Sequence, residues 1–114
     1  MIKVFRFEII IVVMRIISEK TIRKFWLKNR DAEMAMREWM TAVRQTDWQS
    51  FADVRQTFNH ADVYKNCTIF DVGGNKYRII AKINYRKHTV FIRFVLTHDE
   101  YGFRHGKHWN FDCE

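Results

Sequence analysis

The 114-residue sequence has no proline, only four glycines and only two cysteines. It has no low-complexity or Ser/Gly-rich tract of the kind that links domains, so its length predicts one domain with one core. The two cysteines, Cys67 and Cys113, do not indicate a disulfide framework or a zinc site. We therefore expect no disulfide framework, no metal, no cofactor and a reducing, cytoplasmic setting.

A long hydrophobic run is also missing. Arg6 and Glu8 interrupt the apolar start of the chain, and no small-residue cleavage site of a signal peptide follows them. The run Ile9 to Val13 is far shorter than the roughly 20 residues that span a bilayer. We therefore expect no signal peptide and no membrane association.

Met14 opens a second plausible start of the chain. Residues 1–13 are then either an extension that precedes the true start or a lengthening of the first strand, which we expect at Arg15-Ile16-Ile17. The predicted division is an N-terminal extension over 1–13, a folded domain over 14–101 and a C-terminal tail over 102–114.

Negative charge is scarce, with 13 Asp and Glu against 20 Lys and Arg, a formal net charge of +7 and a pI near 9.7. Between Asn75 and His98 there is no carboxylate at all. Positive charge without a local counter-ion favours an external anion, and for a small basic domain nucleic acid is the first candidate. If this stretch contained carboxylates, we would prefer the explanation that its long basic side chains are simply solvated. The basic residues of this stretch are Lys76, Arg78, Lys82, Arg86, Lys87 and Arg93.

Two amphipathic segments occupy the first half of the chain. Ser18 is a favourable N-cap for a helix over about Glu19 to Lys28, with apolar residues at helical spacing. Asp31 can cap a second helix that runs to about Arg44. Adjacent amphipathic helices predict a helical hairpin, and Ser50 is expected to cap a further short helix.

From Cys67 onward the apolar residues alternate, which is typical of strands. The Gly73-Gly74-Asn75 turn tolerates positive φ. The predicted strands are 68–72, 77–85 and 90–96, with a loop over 86–89 between the last two.

Matching the apolar faces of the last two strands sets their register, because a slip by one residue would turn the apolar set to the polar face. This register places Lys82 opposite Arg93 and Arg78 opposite Thr97. Like charges that face each other across a sheet are destabilising unless something neutralises them. We interpret the face as an uncompensated platform for the phosphates of RNA.

The segment Thr97-His98-Asp99-Glu100-Tyr101 adds an imidazole and a phenol just beyond this face. Metal-free RNA cleavage needs a base for the 2′-hydroxyl, a cation for the phosphate and an acid for the departing 5′-oxygen. Arg78 and Arg93 could supply the cation. His98 could be base or acid, and Tyr101 could relay a proton if nearby arginines lower its pKa from about 10. Both residues could equally be ordinary hydrogen-bonded elements of a loop.

Three segments in one chain resemble the HigB-type toxins, which belong to the RelE-like superfamily of bacterial toxin–antitoxin systems. They are Asp62-Val63, Phe70 to Ala81 and Phe91 to Tyr101, and the similarity extends from Met14 to about Tyr101. The positions that match the family motif are Gly73, Gly74, Asn75, Arg78, Arg93, Thr97, His98, Glu100 and Tyr101.

The resemblance implies an α+β fold in which an antiparallel sheet packs on an N-terminal helical hairpin. It also implies a ribosome-dependent mRNA endonuclease, silenced by a helix-turn-helix (HigA-like) antitoxin, which meets DNA only through the antitoxin complex. A non-catalytic RNA- or ribosome-binding module is the alternative. We expect catalytic roles for Arg78, Arg93, His98 and Tyr101, and RNA contacts from Lys65, Asn75, Lys76 and Lys82, where Lys82 depends on the register argument alone.

After Tyr101 the sequence departs from these toxins. Gly102 stands where such toxins usually have Asp, and a longer tail follows. The tail is either a frameshifted end or an extra strand with Trp109 and Phe111 packed on the sheet. His105 and His108, three residues apart, are interpreted as solvated side chains rather than zinc ligands, because no cysteine or carboxylate stands nearby at ligand spacing.

Overall fold

The computed structural model describes the backbone of residues 2–5, 8–105 and 111–114, and the side chains of residues 11–102 and 111–114. Trp109 and His108 lie outside these residues, and the side chain of His105 does too. The described elements, in chain order, are β1 (Ile2–Phe5), β2 (Glu8–Ile11), β3 (Arg15–Ile17), α1 (Glu19–Lys28), a 3₁₀ turn (Arg30–Ala32), α2 (Glu33–Val43), α3 (Phe51–Thr57), β4 (Asp62–Tyr64), β5 (Cys67–Val72), β6 (Tyr77–Asn84), β7 (Thr89–Thr97) and α4 (His98–His105).

The fold class is α+β, as predicted, but the main sheet is mixed rather than antiparallel. Its five strands lie in the order β3-β7-β6-β5-β4, and β3 runs parallel to β7. A parallel pair needs a long crossover connection, which α1 to α3 and β4 to β6 supply here. Because strands precede α1, the helices are not the N-terminal element of this chain.

The two alternatives for residues 1–13 can be compared with the backbone of this region. β1 and β2 pair with each other in a separate two-stranded sheet, so they do not lengthen β3. Met14, by contrast, is buried, and its N–H donates to the carbonyl of Thr46 over 2.8 Å.

The helices form where the sequence indicates, but their caps differ from the prediction. The first runs over Glu19–Lys28 as expected, yet Ser18 has a left-handed backbone, φ 69°, and makes no side-chain capping bond to it. The second begins at Glu33 with Ala32 as its N-cap. Asp31 lies in the 3₁₀ turn and bonds the hydroxyl of Tyr77, whose pKa is raised by burial and by this carboxylate. A tertiary partner therefore replaces the predicted capping role of Asp31.

Two apolar clusters cover the two faces of the main sheet, since successive residues of a strand point to opposite sides. The helices pack on the face that carries Tyr77, Ile79 and Ala81. The opposite face carries Ile80 and packs on residues 111–114 through a smaller cluster. The larger cluster includes Met14, Ile22, Trp26, Met36, Trp39, Val43, Trp48, Val54, Phe70, Val90 and Ile92.

The predicted register of β6 and β7 is wrong. Arg78 lies opposite Leu96 rather than Thr97, and Lys82 lies opposite Phe91 rather than Arg93. The ladder shifts between Ile80, paired with Phe94, and Ala81, paired with Ile92, which leaves Arg93 as the extra residue of a β-bulge. The loop is residues 85–88, and the bulge removes the direct opposition of like charges.

The turn before β6 has the predicted conformation. Gly73, Gly74 and Asn75 have φ values of 68°, 62° and 79°. At Gly73 a Cβ would stand 3.0 Å from Cδ2 of Tyr77, so both conformation and space require glycine there.

Residues 102–105, the first described part of the tail, continue α4, and segment 111–114, the second, has no strand structure. Phe111 packs on Phe94 of β7, with ring centroids 4.9 Å apart. Cys113 forms a disulfide with Cys67 at the start of β5, with 5.4 Å between their Cα atoms. Two cysteines separated by 46 residues gave no pattern in the sequence, and folding nevertheless brings them together. Within the described residues, no helix is long and apolar enough to cross a membrane.

Candidate active site around Arg78

Arg78 is the centre of the site, and it is buried, with 6% of the residue exposed. Its Nε lies 3.0 Å from Oδ1 of Asp71, the residue opposite it on β5. Nη1 donates to the carbonyls of Asn75 and Tyr77 over 3.1 and 3.0 Å. Nη2 donates to Oδ1 of Asn75 over 2.5 Å and lies 3.3 Å from Nδ1 of His98.

Every nitrogen of this guanidinium therefore has a protein partner. A buried arginine in such a network is satisfied, and binding a phosphate would require it to give up existing contacts. The geometry favours Arg78 as the residue that positions its neighbours, rather than as the group that grips the phosphate directly.

The segment after β7 is a capping box for α4. The Thr97 hydroxyl accepts a hydrogen bond from the N–H of Glu100 over 3.1 Å, and the Glu100 carboxylate accepts one from the N–H of Thr97 over 3.0 Å. These reciprocal bonds satisfy donors at the start of the helix. His98 and Tyr101 then stand three residues apart, which places both on one side of the helix. The capping box therefore explains why Thr97 and Glu100 occur in the Thr-His-x-Glu-Tyr pattern.

His98 is exposed and is fixed at two points. Its backbone N–H donates to the carbonyl of Lys76 over 2.7 Å, and its Nδ1 faces the guanidinium of Arg78. A guanidinium can only donate, so Nδ1 accepts and the neutral ring carries its proton on Nε2. Nε2, which does not face Arg78, is therefore a donor in this tautomer.

Tyr101 lies against Arg78, with the guanidinium carbon 5.1 Å from the ring centroid. A proton-relay role for Tyr101 required that nearby arginines lower the pKa of the phenol, and the lowering by Arg78 is outweighed. Burial raises the pKa of Tyr101, and this effect, with the carboxylates of Asp62 and Asp71, exceeds the lowering by Arg78. Tyr101 is consequently a phenol near neutral pH, able to donate a proton but not to accept one.

The basic face is not uncompensated. Lys82 pairs with the Glu114 carboxylate at 2.6 Å, and Nη2 of Arg93 donates to the main-chain carbonyl of Glu114 over 3.2 Å. Asp71 supplies the counter-charge of Arg78. Arg78, Lys82 and Arg93 do share one face of the sheet, as predicted. Arg78 and Lys82 lie an even number of residues apart on β6, and Lys82 and Arg93 both contact Glu114. The carboxylates come from β5 and from the tail, outside the acid-free stretch, so a count within that stretch could not find them.

The predicted RNA-contacting residues are not equally close to this site. Asn75 belongs to it directly through Arg78, and the exposed Lys76 adjoins it through its carbonyl, which accepts from His98. Lys65 is exposed, with a backbone φ of 53°, and its ammonium lies 5.4 Å from the Tyr64 ring centroid. Within the described side chains, no group of three His, Cys, Asp or Glu residues stands close enough to hold a metal ion.

Two residues of the site were missed at the sequence level. Asp71 stands next to the glycine turn and could have been recognised from a correct alignment of β5 with β6, which places it opposite Arg78. Glu114 carries no sequence signal, because its position depends on the path of the tail.

Comparisons with known proteins address the same region. A family model described as HigB_toxin, RelE-like toxic component of a toxin-antitoxin system, matches residues 32–103. The chain is also similar to the mRNA interferase HigB of Escherichia coli O6:H1, strain CFT073, with 29% identity over 91 residues, which cover 77% of this chain and 88% of the relative. The matched region contains Asp71, Arg78, Arg93, His98 and Tyr101.

Proposed function

The chain belongs to the HigB family of RelE-like toxic components of toxin–antitoxin systems, and from this premise we propose that it is a cytoplasmic endoribonuclease that cleaves mRNA on the ribosome. The relative from Escherichia coli, which this chain matches over 88% of that relative's length, is named an mRNA interferase. The observation that carries the proposal is that His98 is exposed and its Nδ1 faces the buried Arg78, which leaves the proton of the neutral ring on Nε2.

The reaction begins when the 2′-hydroxyl of the substrate gives its proton to solvent water and its oxygen attacks the adjacent phosphorus, and it ends when the 5′-oxygen leaves with a proton. The products are a 2′,3′-cyclic phosphate and a 5′-hydroxyl. The Nε2–H of His98 donates a hydrogen bond to a phosphate oxygen when the ring is neutral and Nδ1 accepts from Arg78. To act as general acid the ring takes a proton from solvent at Nδ1 and gives up its contact with Arg78, and the imidazolium then passes its Nε2 proton to the departing 5′-oxygen.

Arg93 is the cation that meets the phosphate in this proposal. It is only partly buried, and its Nη2 is held by one carbonyl, whereas all nitrogens of Arg78 are engaged. Lys65, Lys76 and Lys82 extend the positive surface along which single-stranded RNA lies. Asn75 and Arg78 position His98 and Tyr101, and Tyr101 donates a hydrogen bond as a phenol.

The test compares Arg93→Ala with the wild type and with Arg55→Ala, an exposed arginine of α3. Expression of the wild type and of Arg55→Ala should inhibit growth and produce new mRNA ends. Arg93→Ala should do neither while retaining the wild-type circular dichroism spectrum. Full growth inhibition by a folded Arg93→Ala protein would contradict the assignment.

The alternative function, a non-catalytic RNA- or ribosome-binding module, makes the opposite prediction at His98. In that case His98→Ala would bind ribosomes and inhibit growth like the wild type. Loss of cleavage with retained ribosome binding would support the endonuclease.

A helix-turn-helix, HigA-like antitoxin is the proposed partner, and contact with DNA occurs only in that complex. An acidic segment of the antitoxin complements the basic surface around Arg93 and Lys76, and it excludes RNA by occupying the same positive charges. In the proposed RelE-like arrangement, α1 and α2 form the helical layer on the sheet face opposite Arg78. Lys76→Glu would weaken this complex if the antitoxin binds there.

A further inference from the structure

Segment 111–114 lies on the sheet face that bears Lys82 and Arg93. Phe111 is buried against Phe94, and Cys113 is joined to Cys67. The next residue, Glu114, contacts both Lys82 and Arg93. The segment thus covers cations that the proposed function assigns to RNA.

Glu114 presents oxygens to both cations. Its carboxylate is 2.6 Å from the Lys82 ammonium, and its main-chain carbonyl accepts from Arg93 over 3.2 Å. The hydrogen bond from Lys82 holds the pKa of the Glu114 carboxyl below its ordinary value, so this group is an anion at neutral pH. The two Glu114 oxygens thus take the hydrogen bonds of Lys82 and Arg93 that two phosphate oxygens of RNA would otherwise accept.

A second observation shows that Glu114 does not satisfy all the hydrogen-bond donors of Arg93. Its Nε is buried and has no hydrogen-bond partner among the described residues. Buried donors are nearly always paired in folded proteins, so this N–H is available to a better acceptor. A guanidinium that uses Nη2 and leaves Nε free lacks the second contact of a bidentate phosphate or carboxylate.

The ion pair alone cannot keep a polyanion away. The side chains of Lys82 and Glu114 are 40% and 64% exposed, and exposed pairs of this kind contribute little and weaken with salt. The disulfide changes this balance, because a covalent link one residue before Glu114 shortens its tether to the sheet and so raises the effective concentration of its oxygens at Lys82 and Arg93.

We propose that segment 111–114 is an internal mimic of the RNA phosphates, which the Cys67–Cys113 disulfide holds over Lys82 and Arg93 and which reduction releases. The inference rests on the proposed function, because it assigns regulation to the same site. In the step itself, a dithiol gives two electrons and two protons. The S–S bond breaks, two cysteine thiols form, and the dithiol becomes a disulfide.

Release then depends on the redox state. Both cysteines are buried, so the reductant reaches the disulfide through a transient local opening of the chain around it, and the segment lifts from the sheet after reduction. In a reducing compartment the thiol form prevails and the platform is open to RNA, whereas oxidation closes it.

The test measures binding of a fluorescent, single-stranded 2′-O-methyl oligoribonucleotide, which cannot be cleaved, to the full chain before and after treatment with dithiothreitol. Reduction should tighten binding about tenfold by removing the tethered competitor. The slope of log K against log salt should become steeper by about 1.4, because two further phosphates are each neutralised at about 0.7. Equal affinities and slopes for the two redox forms would overturn the proposal.

Variants identify the cause of the change. Cys113→Ser should bind like the reduced wild type without dithiothreitol, and dithiothreitol should not affect it. Arg93→Ala should lose most of the redox difference. A redox difference of wild-type size in Arg93→Ala would place the effect elsewhere and contradict the proposal. If Cys113→Ser does not fold, the wild-type comparison still decides.

A parallel measurement of mRNA cleavage on programmed ribosomes separates the two proposals. If the reduced chain cleaves and both redox forms bind the oligonucleotide equally, the proposed function stands and the regulation fails. If binding depends on the redox state but the reduced chain does not cleave, the mimicry stands and the endonuclease assignment fails.

Discussion

Nη2 of Arg78 stands 3.3 Å from Nδ1 of His98, so a buried residue of β6 sets the orientation of an exposed residue of α4. The same guanidinium is held by Asp71 and by Asn75. Asp71 of the sheet and Asn75 of the glycine turn therefore fix the orientation of the imidazole indirectly, by holding Arg78 in place.

Arg78→Lys should cost about 3 kcal/mol of folding stability, because an ammonium cannot reach Asp71, the Asn75 and Tyr77 carbonyls and His98 together, and breaking a buried pair leaves polar groups unpaired. Urea unfolding measures the loss. Arg93→Lys is the matched control and should change stability by less than about 0.5 kcal/mol. Equal stabilities for the two variants would show that the network around Arg78 does not stabilise the fold.

His98→Ala should lower the cleavage rate by about 10²- to 10⁴-fold, the range for loss of a general acid. Stability should hardly change, since the side chain is exposed. Single-turnover cleavage of ribosome-bound mRNA gives the rate.

A substrate with sulfur in place of the departing 5′-oxygen sharpens this test. Because a thiolate leaves without protonation, the defect of His98→Ala should largely disappear on this substrate. An equally large defect on both substrates would contradict the general-acid role.

Tyr101→Phe should change stability in a pH-dependent way. The folded state raises the pKa of this phenol, so it favours the protonated form. Any stabilisation linked to that proton is therefore complete below the ordinary pKa of about 10 and is lost as the pH rises through the folded-state pKa. The difference in unfolding free energy between wild type and Tyr101→Phe should be constant at neutral pH and decrease above about pH 10.

Tyrosinate absorbance gives an independent check of the same residue. The wild-type minus Tyr101→Phe difference should titrate above the ordinary tyrosine value. A titration below that value would mean that Arg78 dominates over burial.

Thr97→Ala should remove the capping box at the start of α4 and cost about 1 kcal/mol. It should also slow cleavage, because His98 and Tyr101 follow directly on this helix. Thr97→Ser keeps the hydroxyl and should restore both stability and rate. If Thr97→Ala cleaved at the wild-type rate, the cap would have no part in positioning the two residues.

Local elements could be predicted from the sequence because their causes are local. Helical spacing indicated α1, and the Gly73-Gly74-Asn75 sequence indicated a turn with positive φ. Alternation located β6 and β7 to within a residue or two. The chemistry of RNA cleavage and then the family resemblance grouped Arg78, His98 and Tyr101. In the structure Arg78 contacts both of the others, while the catalytic roles stay predictions.

Features that depend on distant contacts were mispredicted. A smooth ladder was assumed, but Arg93 is the extra residue of a bulge, which alternation cannot reveal. The pairing of Cys67 with Cys113 and of Lys82 with Glu114 depends on the path of the tail. Asp31 appeared to be a cap because its partner, Tyr77, lies far along the chain.

The parallel pairing of β3 with β7 has a consequence for synthesis of the chain. Ile16 lies beside Val90, and β7 is the only neighbour of β3 among the described strands of the main sheet, so β3 stays unpaired until residues 89–97 have been synthesised. Contacts this remote in sequence close late, since loop entropy opposes them. The main sheet, and with it the setting of His98, is therefore complete only after residues 89–97 have joined it.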